Sequence, residues 1–440
     1  MKKFVFKEKV IALLLAIALV SVGLLLFFRS DSCAPVDPAE LESADYWISQ
    51  LKNADKVLMT SDEIKKYNDD AMAFFGGAPK SGYYNMFDYE SWIYKEHDSD
   101  EVQEWIDQNT SYVIKEGKCG LYINGEPVSD KQAEDYLNAT KVVSKNGKIT
   151  PGLAIANKNS NVLDLPTTDE LNTKSGIDNQ LQETLVKKND PVVVLGNNRD
   201  NDWSYIVCKD YMGWVETSNL DYFENVQEMQ KYFSQDYLTV VRDYKDESTG
   251  ETILLGTRFY GEDETGNENL VKGNMEFTRR RVIELAFTML NDKYGWGGKD
   301  GLRDCSLFLR DIYSCFGLNV PRNTGLQSMC PGVKNIKEIE GYNEKEKEIR
   351  KLSAGDYLVI RGHSMMYLGE TNDKHYVISL LGSYVPEEVT EDFANNIVTV
   401  YKCQVNSLDV HRANGNTWME EVNYINNWNY PPKDDNCKNQ

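Results

Sequence analysis

Cysteine and histidine are the side chains that most readily make a nucleophile and its base near neutral pH. This 440-residue chain has eight cysteines and only four histidines, so the search for a working pair is short. Asp304-Cys305-Ser306 stands out, preceded by Tyr294-Gly295-Trp296-Gly297-Gly298 and followed by the apolar run 307–316. Apolar residues at Cys305, Phe308, Leu309, Ile312 and Phe316, three or four apart and closed by Gly317, predict a helix with one buried face. A thiol in its first turn feels the positive end of the helix dipole and unpaired backbone N–H groups, which predicts a stabilised thiolate and a lowered pKa. Free cysteines more often pack than react. Here the glycine pair and the polar neighbours Asp304 and Ser306 set Cys305 apart from a packing cysteine.

The base follows by elimination. His97 sits in the acidic run Glu96-His97-Asp98-Ser99-Asp100 and His411 precedes Asn414-Gly415-Asn416, so both are expected at the solvent-exposed surface. His363 is different: Gly355-Asp356 opens a strand-like run at 357–360, Arg361-Gly362 turns the chain, and 363–369 reads as the next strand. A histidine opening a core strand can face a helix packed on that sheet. A helix-borne cysteine with a strand-borne histidine is the arrangement of thiol hydrolases, in which imidazole takes the thiol proton and later gives it to the leaving amine.

The run 294–306, then Val320-Pro321-Arg322-Asn323-Thr324 with Gln327, then Gly355-Asp356 and 363–369, resembles the NlpC-type cell-wall cysteine peptidases. Those enzymes hydrolyse peptide bonds in the stem peptides of bacterial peptidoglycan. The resemblance covers about residues 277–385 and implies an α+β, papain-like catalytic domain, a helix packed on an antiparallel sheet. It implies Cys305 as nucleophile and His363 as general base, with Tyr294, Trp296, Asp304, Ser306, Arg322 and Thr324 lining the substrate site. Tyr294 and a backbone N–H near Cys305 would stabilise the tetrahedral oxyanion. Loop packing accounts equally well for Tyr294 and Trp296, and a structural turn for Pro321-Arg322. The family places a third polar residue, often histidine, on the strand after the base. Aligning Tyr376-Val377-Ile378-Ser379 with that strand puts Ser379 there, with His375 at the strand's start as the alternative; a serine orients imidazole but brings no charge. No cofactor is implied, and without a C-x-x-C pair no metal, zinc included, is expected.

The surrounding chain sets where such a site would work. Residues 10–28 are almost continuously apolar behind Lys2, Lys3, Lys7 and Lys9. A run of about 20 residues can span a bilayer and exceeds a cleavable signal's apolar core, so residues 1–33 are expected to be a membrane anchor, or a signal segment cleaved on secretion. The positive flank would stay inside and the rest face the cell wall or periplasm. Lipidation at Cys33 is the less favoured alternative, because Ser30-Asp31-Ser32 before it is polar. Eight cysteines in an exported chain suggest disulfides, yet Cys305 and Cys315 on one helix would be roughly 15 Å apart, beyond bridging reach. A formal net charge of −21 excludes a nucleic-acid-binding footprint.

Residues 34–148 read as a mainly helical region, with Thr60-Ser61-Asp62-Glu63 as a capping box. From 149 to 222, short strands between polar turns predict a small barrel. Asp202-Trp203-Ser204-Tyr205-Ile206-Val207 and Gly213-Trp214-Val215 there look like the bacterial SH3-like module that accompanies wall hydrolases. Residues 223–270 read as a second, shortened SH3-like domain, and 271–440 as the peptidase domain with a C-terminal tail. The expected function is hydrolysis of peptidoglycan stem peptides beside D-glutamate, with the SH3-like modules forming a cleft wall or docking to the cell wall. A non-catalytic wall-binding or scaffold protein on a degenerate peptidase fold is the alternative, and acyl transfer by the same pair a third.

Overall fold

The computed structural model describes residues 36–75, 84, 86–263 and 266–430. The apolar run 10–28, Cys33, Cys437 and the acidic tail at 432–435 lie outside them. Among the described residues no helix is long and apolar enough to cross a membrane. The six described cysteines are all free thiols.

After a single turn of helix at Pro38–Leu41 come helices α1 (Ala44–Ser49) and α2 (Ser61–Phe75). The capping box forms: the Glu63 N–H donates to Thr60 Oγ1 at 3.3 Å and the Thr60 N–H to Glu63 Oε2 at 2.8 Å. Trp47, Ile48, Tyr67 and Ala71 from these helices are buried in one apolar cluster with Phe277, Val282, Phe308 and Ile312, far along the chain. Helices α3 (Ser99–Thr110) and α4 (Asp130–Ala139) instead bury Val102, Ile106 and Ala133 with Leu195, Trp203 and Trp214. The segment expected as one helical region is therefore two, each covering a different core. His97 also departs from expectation. It is buried between Trp92 and Trp105, at ring distances of 5.6 and 5.2 Å, because aromatic packing outweighs the acidic character of its sequence neighbours.

The SH3-like part has strands β1 (Gly152–Ala156), β2 (Ser160–Leu163), β3 (Gln182–Val186), β4 (Pro191–Asn197), β5 (Trp203–Cys208), β6 (Tyr211–Glu216) and β7 (Leu220–Tyr222). They pair antiparallel in the order β7-β1-β4-β5-β6-β2-β3. Leu220 from one end and Val186 from the other meet Ile206 and Val215 in one core, so the sheet wraps on itself. Period-two alternation explains β5: Ile206 and Cys208 point into that core, while Trp203, Tyr205 and Val207 point out towards α3 and α4. After α5 (Val226–Phe233), strands β8 (Tyr237–Val240), β9 (Arg258–Tyr260) and β10 (Leu270–Lys272) form a three-stranded sheet in the order β9-β8-β10.

The remaining elements are α6 (Arg279–Thr288), α7 (Cys305–Ser314), α8 (Thr324–Gln327), β11 (Lys334–Asn335), α9 (Tyr342–Ile349), β12 (Tyr357–Ile360), β13 (His363–Thr371), β14 (Lys374–Tyr384), β15 (Val398–Ser407), α10 (Trp418–Glu421) and β16 (Tyr424–Asn426). The six strands form an antiparallel sheet in the order β11-β16-β12-β13-β14-β15. Val359, Met366, Leu368 and Ile378 on one face join the cluster of α6 and α7. Leu358, Met365, Tyr367 and Val377 on the other face pack with Ile349 of α9 and Trp418 of α10. Helix α7 ends where the apolar period predicts, with Gly317 in the left-handed region at φ 82°.

Candidate active site

Cys305 is the first residue of α7, buried at 8 % exposure. Asp304 caps the helix: its Oδ1 accepts from the Ser306 and Leu307 N–H groups at 3.1 and 3.0 Å. The same carboxylate takes a two-pronged grip from Arg322, Nη1 to Oδ1 at 2.9 Å and Nη2 to Oδ2 at 2.5 Å. Arg322 further donates to Ser306 Oγ at 2.7 Å and to Thr184 Oγ1 of β3 at 3.1 Å. Asp304, Ser306 and Arg322 are thus consumed in fixing the start of α7 and tying it to the barrel. Gln327 adds a brace, its side-chain amide donating to the carbonyls of Ser306 and Pro321 at 2.9 and 2.8 Å.

The loop before α7 meets the barrel closely. Gly297 and Gly298 adopt φ of 65° and 78°; a Cβ on Gly297 would lie 2.7 Å from the Gln182 carbonyl oxygen, and one on Gly298 2.7 Å from Leu307 Cδ2. Conformation requires glycine at both positions, and space requires it at Gly297. Behind the helix, Asp311 is gripped by Lys187 of the barrel at 3.0 Å and by Arg303 at 2.7 Å, and Arg303 also pairs with Asp243 at 2.6 and 2.8 Å.

His363 is the first residue of β13 and is buried. It shares the alternation of Met365 and Tyr367, so its ring rests on Trp418 of α10 at 5.3 Å, not on α7, which packs on the opposite face. The strand end still reaches the thiol. Ser364, the next residue, turns its backbone N–H to Cys305 Sγ and its hydroxyl to Thr324 Oγ1 at 3.2 Å, and Thr324 Oγ1 lies 3.9 Å from the same sulfur. His363 Nε2 lies 3.0 Å from Ser379 Oγ, fully buried on β14. His375 lies elsewhere: its Nδ1 faces the Tyr367 hydroxyl at 2.8 Å and its Nε2 faces Glu346 at 3.5 Å. His411 is half-buried against Phe393, short of the open exposure its sequence suggests.

The electrostatics differ from the expectation at Cys305. Burial, with the Asp304 carboxylate adding to it, pushes the thiol up to about 11; the Ser364 N–H, Thr324 and Arg322 pull the other way without prevailing. Burial and Arg412 push His363 down to about 3, against a weaker opposing pull from Asp304. Both groups rest neutral because desolvation disfavours charge on each.

Cys305 opens into a cavity of about 530 Å³ lined by all six residues named from the sequence as substrate contacts, Tyr294, Trp296, Asp304, Ser306, Arg322 and Thr324. Trp296 is 46 % exposed and free to contact a ligand, while Tyr294 stacks edge-on against Tyr401 at 5.6 Å. Sequence reasoning missed the other wall. Gln182, Glu183 and Tyr211 reach the cavity from the barrel, and Arg361, Asn423 and Tyr424 from the far side. Only the turn at Arg361-Gly362 left a sequence signal. Glu183 touches the buried carboxyl of Asp164, and burial raises both, Asp164 well above the carboxylate range.

A helix-borne thiol on a six-stranded antiparallel sheet, with a curved barrel forming one side of its cleft, places the chain among papain-like α+β peptidase folds. Residues 291–383 match the NlpC/P60 family and residues 173–216 match the SH3 domain of the SH3b1 type. The chain carries an NlpC/P60 domain behind an SH3b barrel, and that family implies peptidase activity directed at the cell wall. A curated relative, dipeptidyl-peptidase 6 of Lysinibacillus sphaericus, is 25 % identical over 39 % of this chain and 72 % of its own length. A solved NlpC/P60 endopeptidase from Photobacterium damselae subsp. piscicida superposes with a TM-score of 0.66 at 15 % identity, covering 89 % of this chain and 97 % of that one, a likeness of fold.

Proposed function

We propose that this protein is an exported cysteine peptidase that cuts peptidoglycan stem peptides beside D-glutamate, with Cys305 as nucleophile, His363 as base and Ser379 orienting the base. The observation that supports the reading is neighbourhood: Cys305 Sγ, at a helix start in a cleft, lies beside Thr324 and the strand end that bears His363, whose Nε2 is engaged by Ser379; the reaction requires the His363 ring to swing from Trp418 towards the sulfur. With Ser379 Oγ accepting from Nε2–H, Nδ1 is left as the proton acceptor. Imidazole takes the thiol proton as sulfur attacks the scissile carbonyl, and the imidazolium returns it to the leaving amine. Water then hydrolyses the thioester. In this reading the Tyr294 hydroxyl and a backbone N–H near Cys305 stabilise the tetrahedral oxyanion. Thiol and imidazole are neutral at rest, so proton transfer accompanies attack instead of preceding it.

In this reading residues 1–33 lead the chain to the membrane, 149–222 and 223–270 supply the barrel and its shortened companion, and 271–440 the peptidase domain with its tail. The barrel serves as a wall of the cleft, since Gln182, Glu183 and Tyr211 line it. The test is digestion of purified peptidoglycan fragments with mass-spectrometric identification of the products. New fragments ending at D-glutamate are expected; intact fragments bound without cleavage would favour the scaffold alternative.

A further inference from the structure

The two sides of the cleft differ in charge. On the barrel side stand Glu183 and, in contact with it, Asp164. The opposite side is built by the β12–β13 turn and the start of β16, and contributes Arg361, Asn423 and Tyr424 with no acidic residue. Arg361 is exposed and makes no ion pair among the described residues, so its charge is uncompensated there. A second guanidinium stands behind it: Arg412 Nη2 donates to the Arg361 carbonyl at 3.2 Å. Arg412 also acts electrostatically on His363 and on Glu421, yet forms no ion pair with the latter. Arg361 is thus the cation that lines this side of the cleft, with the Arg412 guanidinium bracing its main chain.

Direction along the cleft follows from the chemistry. Imidazole must hand its proton to the departing amine, so the departing fragment lies on the His363 side of the thiol. Arg361 sits two residues before His363, on the turn that opens its strand.

We propose that Arg361, backed by Arg412, forms an anion subsite that binds a carboxylate on the leaving-group side of the substrate, so that the enzyme selects peptides whose residue after the scissile bond carries a free carboxylate. The inference rests on the proposed peptidase reading and names the substrate class for the same cleft. Arginine suits this role because its planar fork matches a carboxylate with two parallel hydrogen bonds, where lysine offers a single point of charge. Arg361 is a specificity residue; it touches no reacting atom.

The test uses two synthetic stem-peptide fragments identical except that the residue after the scissile bond ends in a carboxylate or in a carboxamide. Binding of each is measured calorimetrically to the Cys305→Ala protein, which cannot turn them over, with and without Arg361→Ala, Arg361→Lys and Arg361→Glu. Tighter binding of the carboxylate by about tenfold, the scale of a charge-assisted hydrogen bond, is expected for the Cys305→Ala protein. That ratio should fall near one with Arg361→Ala, recover in part with Arg361→Lys and invert with Arg361→Glu. A ratio near one before any change at Arg361, or a ratio that survives Arg361→Ala, overturns the subsite. Cleavage by the unmodified protein reports separately on the peptidase reading, so the two ideas fail by different measurements.

Discussion

His363 and His375 lie on adjacent strands of one sheet, both buried, and both carry a pKa lowered by burial. Their surroundings separate them. His363 has Ser379 on one nitrogen and stands at a strand end whose next N–H touches the Cys305 sulfur, beside an open cleft. His375 is held between the Tyr367 hydroxyl and the carboxylate of Glu346, which Arg350 also grips at 2.8 Å. Burial alone therefore does not separate them; their partners do. In the proposed reading His363 serves as the base, while His375 ties its hairpin to α9.

The largest effect expected from this contrast is at His363. His363→Ala should lower kcat/KM by about 10³, within the usual range for losing a general base, while the circular-dichroism spectrum is unchanged; a loss below about tenfold would make the two histidines equivalent. Next comes the Arg322–Asp304 pair. Arg322→Ala strands a buried carboxylate and should cost about 3–5 kcal/mol in denaturant unfolding, with activity falling as the start of α7 loosens. Ser379→Ala should lower kcat by about tenfold, the scale of one neutral hydrogen bond, and leave KM alone. His375→Gln is expected to have the smallest kinetic effect, within twofold, with its cost appearing only in unfolding.

The pH profile sharpens the same contrast. His363 is held neutral down to about pH 3, so its basic form persists through pH 5–7 and kcat/KM should not fall there as it would for an imidazole titrating near 6.5. The linkage sign is opposite for stability. Between about 3 and 6.5 the unfolded chain binds the extra proton, so stability declines as pH drops through that window. His363→Gln should flatten the decline.

Much of this site was legible in the sequence, for identifiable reasons. The α7 helix and its glycine stop follow from local spacing and termini, which act over a few residues, whereas the sequence marks Asp304 only as a neighbour of the thiol lining the substrate site and the structure makes it the helix cap. The β5–β6 hairpin showed itself through alternation. Strand β3 did not: Gln182, Thr184, Leu185 and Val186 are all buried, because the barrel core covers one side and the Gly297-Gly298 loop the other. A short strand buried on both faces has no period to read, so the barrel wall of the cleft was invisible. The thiol's pKa was misjudged for a related reason. Helix position is local, but the burial that outweighs it comes from elements distant in sequence.

The central claim is that Cys305 carries the acyl group, and acid-quenched turnover of a stem-peptide substrate tests it most directly. Peptide mapping of the quenched protein should find the substrate's acyl fragment as a thioester on Cys305, and Cys305→Ala should show neither adduct nor product. Product formed by Cys305→Ala at the unmodified protein's rate would contradict the account.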